Sequence, residues 1–301
     1  MGALTSALLR IASAKGMEVC LPEVVVDEST AKREELADAA ISKIRQASIE
    51  ASKYFDLEPM YVPDAVDAAN EWRRELEAKF RVLPLSSDIA VTALWREIFR
   101  KPPAHKGKGA RDAAIWLIVA RHNANSHGDE TYFVSSNVND FAGPDKKSID
   151  TELLKDLERP SYFHYFTGIE SLLESIASPF DYRPSVDALE DVREAILEGV
   201  LRLDLLQHRG TVNVDEFDDS SVSDAASWSL ESVNFTKTKK SYEMGDECLA
   251  LVQIAAEFKS YSDGLSPVVR TLEVECWLEL QSKEGPITSL AVESANSDSI
   301  S

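Results

Sequence analysis

Ala110-Arg111-Asp112-Ala113-Ala114-Ile115-Trp116, followed a helix-length later by Thr131-Tyr132-Phe133-Val134-Ser135-Ser136-Asn137-Val138-Asn139-Asp140-Phe141, is the stretch on which the reading turns. The first part has the apolar spacing of a helix over 110–123, with Asp112 in the first turn, where the helix dipole favours an acid. The second part reads as a strand over 131–135 that opens into a polar loop over 137–144. A helix that feeds a strand ending in such a loop is the unit of a parallel sheet with helical crossovers. Ligands of open α/β sheets gather beyond the carboxyl ends of the strands. Asp112 and Asp140 therefore fall where a site is expected.

Upstream, Leu4, Leu8, Leu9 and Ile11 predict a short helix ending near Gly16. Met17–Val26 reads as a buried strand, and Ser29 or Thr30 as the cap of a long helix through about Phe55. Further helices are expected over 65–80 and 88–100, then a loop over Lys101–Lys108 marked by Pro102, Pro103 and Gly107. Glu28 thus becomes a third acid just past a strand. Three carboxylates gathered there make an oxygen-rich site for a hard divalent ion, and Asn137 adds a carbonyl oxygen. Taken singly, Glu28 or Asp112 reads as well as a capping or solvated acid, so the argument rests on the set.

Downstream the pattern changes. Residues 185–206 read as an amphipathic helix, and β-type alternation follows. Val252, Ile254, Ala256 and Phe258 alternate with other residues, a turn is expected at Ser262-Asp263-Gly264, and Leu272, Val274, Cys276, Leu278 and Leu280 alternate with Glu273, Glu275 and Glu279. That is an antiparallel strand with one wet face. The expected organisation is an α/β domain with a parallel sheet flanked by helices over 1–160, a smaller α+β domain over 161–283, and a disordered tail over 284–301 rich in Ser, Asn and Asp.

The 301 residues, 44% hydrophobic and 28% charged, are enough for two packed domains. No apolar run reaches the roughly 20 residues that span a bilayer. Cys20, Cys248 and Cys276 lie far apart, which speaks against a disulfide scaffold or structural zinc and suits a cytoplasmic protein. His105, His122, His127, His164 and His208 share no ligand spacing. Met1–Ser6 fits a myristoylation pattern and residues 3–15 loosely resemble a transit peptide; a helix leading into the next strand accounts for both. A formal net charge of −20 argues against a wide nucleic-acid footprint. Residues 96–111 are the exception, with Arg96, Arg100, Lys101, Lys106, Lys108 and Arg111 against Glu97 alone. Much of the acid excess lies after residue 180, as in Asp215-Glu216-Phe217-Asp218-Asp219. Trp95 and Trp116 sit at apolar helix positions and read as core; Tyr162, Phe163, Tyr165 and Phe166 read as an interdomain contact.

Leu21-Pro22-Glu23-Val24-Val25-Val26-Asp27-Glu28 resembles the second segment of PIN domains, in which a Pro-led strand delivers a metal-site Glu. Ala110–Trp116 resembles their third-acid helix, and Phe133–Phe141 the fourth segment, a buried strand followed by Asn and then Asp-Phe. The resemblance covers roughly residues 1–145. With the long interval between Glu28 and Asp112, it is similar to a bacterial subgroup carrying a further C-terminal domain. It implies a metal-dependent endoribonuclease, a toxin or an RNA-processing factor, in which Glu28, Asp112 and Asp140 hold Mg²⁺ or Mn²⁺ that activates a water for in-line attack on phosphorus. On this reading Asn137 positions a ligand or substrate, and Lys106, Lys108 and Arg111 hold the RNA backbone, single-stranded or structured. It also implies pairing into a homodimer and a protein regulator. DNA as the substrate is not separated from RNA by sequence.

One departure is clear. PIN domains open with a strand ending in a metal-binding Asp, and this sequence opens in what reads as the helix after that strand. Asp27 is too close to Glu28 to stand in. The expectation is a truncated or misassigned start; the alternative is a catalytically inactive PIN-like scaffold that binds a protein through its C-terminal domain.

Overall fold

The computed structural model describes residues 3–55, 62, 64–126, 128–207, 228–244, 247–260 and 268–297. They fall into two compact units, residues 17–168 and residues 1–16 with 169–301. Helix α1 (Ala3–Ala14) belongs to the second of these.

In the 17–168 unit, β1 (Cys20–Pro22) runs parallel to β2 (Arg81–Leu83), with Cys20 opposite Arg81 and Pro22 opposite Leu83. A second parallel pair joins β3 (Thr131–Val134) to β4 (Phe163–Phe166), with Thr131 opposite Phe163. Between them in sequence lie α2 (Glu23–Ala51), α3 (Ala65–Lys79), α4 (Ser87–Ile98) and α5 (Ala110–Asn125); α6 (Thr151–Leu154) follows β3. Among the described residues the two pairs stand as separate two-stranded sheets.

Helix α5 serves both pairs. Its Ala113, Ala114 and Ile118 pack with Leu83, Ile89, Ala93 and Ala104, whereas Trp116, Val119 and Ala120 pack with Phe133, Phe141, Leu153 and Phe163. An α5 rich in alanine lets backbone approach on one side, while Trp116 fills the other. The helical and parallel-strand reading of this part of the chain holds.

Four local expectations are corrected. The strand expected over Met17–Val26 is only Cys20–Pro22, and the β-branched Val24-Val25-Val26 run lies in the first turns of α2. Pro22 takes the extended conformation just before the helix, Glu23 occupies the first turn where the dipole favours it, and the Glu23 carboxylate accepts a hydrogen bond from Leu85 N at 2.7 Å. Val26 is fully buried there, so packing overrides strand propensity. Ser29 and Thr30 are accordingly inside the helix and cap nothing: Thr30 Oγ1 donates to Val26 O at 2.7 Å, and Ser29 Oγ accepts from Trp72 Nε1 at 2.9 Å. Phe163–Phe166, read from sequence only as part of an aromatic cluster, is a paired strand of this unit, with Phe163 buried in the core around Trp116. Trp116 is core as expected, but Trp95 is 52% exposed.

The other unit is built on a five-stranded sheet in the order β5-β6-β7-β8-β9, antiparallel throughout. Its strands are β5 (Ser178–Pro179), β6 (Trp228–Met244), β7 (Glu247–Ser260), β8 (Val268–Leu280) and β9 (Ile287–Ser297). The alternation read from sequence sets the faces. Val252, Ile254, Ala256 and Phe258 are buried with Val274, Cys276, Leu278 and Leu280, against α8 (Val186–Asp191) and α9 (Arg193–Gln207) through Leu189, Ile196 and Val200. Glu279 on the opposite face is buried, not wet, ion-paired to Arg10 of α1 at 2.7 Å. Helix α7 (Ile169–Ile176) packs on α1. The tail expected over 284–301 is, over Ile287–Ser297, the edge strand β9. Leu290 and Val292 pack against the core, and that burial outweighs the polar composition. The turn expected at Ser262-Asp263-Gly264 lies outside the described residues.

Gly199 marks where α9 meets β9. A Cβ there would lie 2.4 Å from Val292 Cγ2 and 2.9 Å from its Cβ. Alanine normally gains up to about 1 kcal/mol over glycine in a helix, but overpacking a β-branched neighbour costs about 1–3 kcal/mol. Gly199→Ala is therefore expected to lower stability in urea titrations, and adding Val292→Ala to recover part of the loss. A Gly199→Ala protein more stable than the parent would show that α9 is not seated this closely.

Candidate metal centre

Asp112 lies in the first turn of α5, and two contacts fix that turn. Gly109 precedes it with φ 111°, a left-handed conformation natural to glycine, and the first free amide, Ala110 N, donates to Glu97 Oε2 at 2.8 Å. Asp112 then points at the loop after β3, where Asn137 Nδ2 donates to Asp112 Oδ1 at 3.0 Å. Asn137 is itself set by its loop: its amide donates to Ser135 Oγ at 3.2 Å, and its carbonyl accepts from Asp140 N and Phe141 N. Phe141 anchors the loop, buried edge-on against Phe133 with centroids 5.2 Å apart.

Asp140 follows on that loop, and Lys106 Nζ stands 3.4 Å from its Oδ1. Glu28 lies on the exposed side of the second turn of α2, not just beyond a strand, and Arg111 Nη1 donates to its Oε1. Lys108 is exposed, with no ion pair among the described residues. So Glu28, Asp112, Asp140, Asn137, Arg111 and Lys106 are linked in one neighbourhood, while Lys108 stays outside its contacts.

The electrostatics agree. Burial pushes the Asp112 carboxyl above its ordinary range, repulsion from Asp140 adds to this, and Glu28 contributes in the same direction; the Asn137 hydrogen bond and Arg111 oppose it. A half-buried carboxylate with a second carboxylate nearby is an unfavourable arrangement that a cation relieves. The donor set fits a hard divalent ion in kind, all oxygen, three carboxylates and an amide. It does not fit one in spacing: among the described residues no three His, Cys, Asp or Glu side chains are gathered closely enough to hold a metal ion. Arg111 and Lys106 stand against the carboxylate oxygens that an ion would take.

A carboxyl whose pKa is raised on folding stabilises the folded chain fully only below its ordinary value of 3.8, and that contribution is lost as pH rises through the shifted pKa. Asp112→Asn, which keeps the acceptor for Asn137, is thus expected to be more stable than the parent at neutral pH. Its advantage should shrink as the solution is acidified below 3.8. Urea midpoints across that range test this; an advantage unchanged in acid would refute the raised pKa of Asp112.

Residues invisible to sequence reading support the site. Glu97 caps α5 from α4, Glu23 ties α2 to the segment before α4, and Asp156 accepts from both Arg96 and Trp116. Each acts across more than twelve residues, and no local pattern signals it. Among the described residues no helix is long and apolar enough to cross a membrane.

A family model described as PIN domain matches residues 2–141. No curated protein and no solved structure matches the chain.

Proposed function

We propose, from the match of residues 2–141 to a PIN-domain family model, that this chain is a Mg²⁺- or Mn²⁺-dependent endoribonuclease whose site is built on Glu28, Asp112 and Asp140. PIN domains are a nuclease fold, and the observation supporting the finer reading is the half-buried Asp112 carboxylate, held by the Asn137 amide, with burial first and Asp140 second raising its pKa. The ion, when bound, supplies a Lewis acid that lowers the pKa of a water and neutralises charge on the leaving oxygen. Glu28, Asp112 and Asp140 are the residues that would hold it.

The chain's own groups do the rest. Asn137 keeps one Asp112 oxygen fixed through its amide, so the carboxylate is oriented before substrate arrives. Arg111 and Lys106, each set against a carboxylate, would take the phosphates flanking the scissile bond once those carboxylates are otherwise neutralised. Lys108 adds exposed positive charge on the same loop. A cytoplasmic location, a protein regulator and pairing into a homodimer belong to the same proposal.

The cations make a specific prediction. Lys106 competes with a metal for Asp140 through an exposed pair, a contact worth about 0–1 kcal/mol. Lys106→Ala is expected to tighten Mn²⁺ binding by up to about fivefold and to weaken metal-free RNA binding. Calorimetric titration with Mn²⁺ and filter binding of a labelled RNA read the two effects separately; looser Mn²⁺ binding would remove Lys106 from the site.

The second reading, a PIN-like scaffold without catalysis, is favoured by the wide spacing of the acids. The two part on one experiment, Mn²⁺-dependent cleavage of a labelled single-stranded RNA by the full chain. Cleavage lost in Asp140→Asn supports the nuclease; Mn²⁺ binding and RNA integrity that are both indifferent to Asp112→Asn and Asp140→Asn support the scaffold.

A further inference from the structure

Helix α4 has two apolar faces, and among the described residues only one is buried. Ile89 and Ala93 are buried in the core beside α5, and Arg96 turns inward, donating to Pro102 O at 2.7 Å and to Asp156 Oδ1 at 2.5 Å. The opposite face presents Val91, Leu94, Trp95, Ile98 and Phe99, exposed by 52, 55, 52, 66 and 62%. These positions are i, i+3, i+4, i+7 and i+8, the stripe by which one helix packs along another. Trp95 and Phe99 are stacked with centroids 5.4 Å apart and rings 12° from parallel, so the wide end of the stripe is already a flat aromatic surface. Isolated exposed apolar residues are ordinary, but four in register on one helix, continued by Phe99 at its C-cap, are the mark of an interaction face.

We propose that this face docks an acidic amphipathic helix of a partner protein. Charge decides the occupant. The stripe ends at Arg100 and Lys101, both exposed and without an ion pair among the described residues, and continues into the loop bearing Lys106 and Lys108. The one acid of residues 96–111, Glu97, is engaged by Ala110 N. An apolar stripe closed by unpaired cations selects a helix with leucine-like residues on one face and Asp or Glu at its end. The chain's net charge of −20 does not cancel this, because the Debye length is about 8 Å at physiological salt and the local patch dominates. A second copy fits less well. Antiparallel α4 pairing would bring Arg100 and Lys101 to the partner's helix start, where the first-turn acid, Asp88, is already paired with Arg121.

The inference does not depend on nuclease activity. It is tested on the full chain with two labelled helical peptides sharing one leucine stripe, one flanked by glutamates and the other by lysines, followed by fluorescence anisotropy at physiological salt. The glutamate peptide is expected to bind at least tenfold more tightly. Leu94→Glu or Ile98→Glu, both at exposed positions, should weaken it tenfold or more with the circular dichroism unchanged. Arg100→Glu with Lys101→Glu should reverse the preference between the peptides. Equal affinity for both peptides, no binding of either, or binding indifferent to the stripe variants would overturn the proposal. Sedimentation showing a dimer that Ile98→Glu dissolves would overturn it in favour of a second copy.

Discussion

Asp112→Asn is expected to leave the chain folded and to reduce Mn²⁺-dependent RNA cleavage about 10³-fold or more, the scale on which several kcal/mol of metal-borne charge stabilisation acts. The substitution is nearly isosteric, and its oxygen still accepts from Asn137, so the loop after β3 and the start of α5 stay in place. What disappears is one negative charge, the half-buried one whose pKa burial and then Asp140 raise. Metal affinity and turnover should fall together, which gel assays of a labelled single-stranded RNA and calorimetry with Mn²⁺ measure independently. Lys108→Ala serves as the contrast: Lys108 touches none of the acids, so its loss should weaken RNA binding modestly and leave Mn²⁺ affinity unchanged. An Asp112→Asn protein that binds Mn²⁺ and cuts within twofold of the parent would sink the carboxylate site.

The parts of this site legible in sequence are those that local pattern encodes. Asp112 follows Gly109 at the head of an apolar-periodic helix, and Asn137 and Asp140 follow a strand of Tyr, Phe and Val, so helix, strand and loop each announce themselves within about ten residues. Glu28 was legible as a candidate but not in its setting. The Val24–Val26 run has strand character, and only the contact of the Glu23 carboxylate with Leu85 N, sixty-two residues away, shows that the helix starts at Glu23. The same limit hid the pairing of Arg111 with Glu28 and of Lys106 with Asp140, because long flexible cations show no periodicity. In the C-terminal unit, alternation exposed the core faces of β7 and β8 without showing that α1 covers Glu279. Strand β9 was masked by its Ser and Asn content, since an edge strand needs only one apolar side. Trp95 illustrates the opposite failure: apolar spacing marks a face, but not whether the chain itself covers it.

Trp116→Ala is expected to be the most destabilising single change in the 17–168 unit. Trp116 is fully buried, edge-on to Phe133 and Phe163 with centroids 6.0 and 5.7 Å away, and its Nε1 donates to Asp156 Oδ2 at 2.7 Å. Truncation of a buried tryptophan costs about 3–5 kcal/mol, against a total of about 5–15 kcal/mol for a domain. The other Asp156 oxygen remains tied to Arg96, so the loss also leaves a partly buried acceptor short of a donor. Trp116→Phe separates the two effects: it retains much of the ring packing and should cost mainly the hydrogen bond, about 1–3 kcal/mol. Because α5 packs on both strand pairs, the damage should not remain beside Phe133. Hydrogen exchange at the amides of β1 and β2 should quicken along with that at β3 and β4, although Trp116 belongs to the second core alone. Protection lost only around β3 and β4, with β1 and β2 unaffected, would mean that α5 does not couple the pairs and that Glu28 is held near Asp112 by surface ion pairs alone.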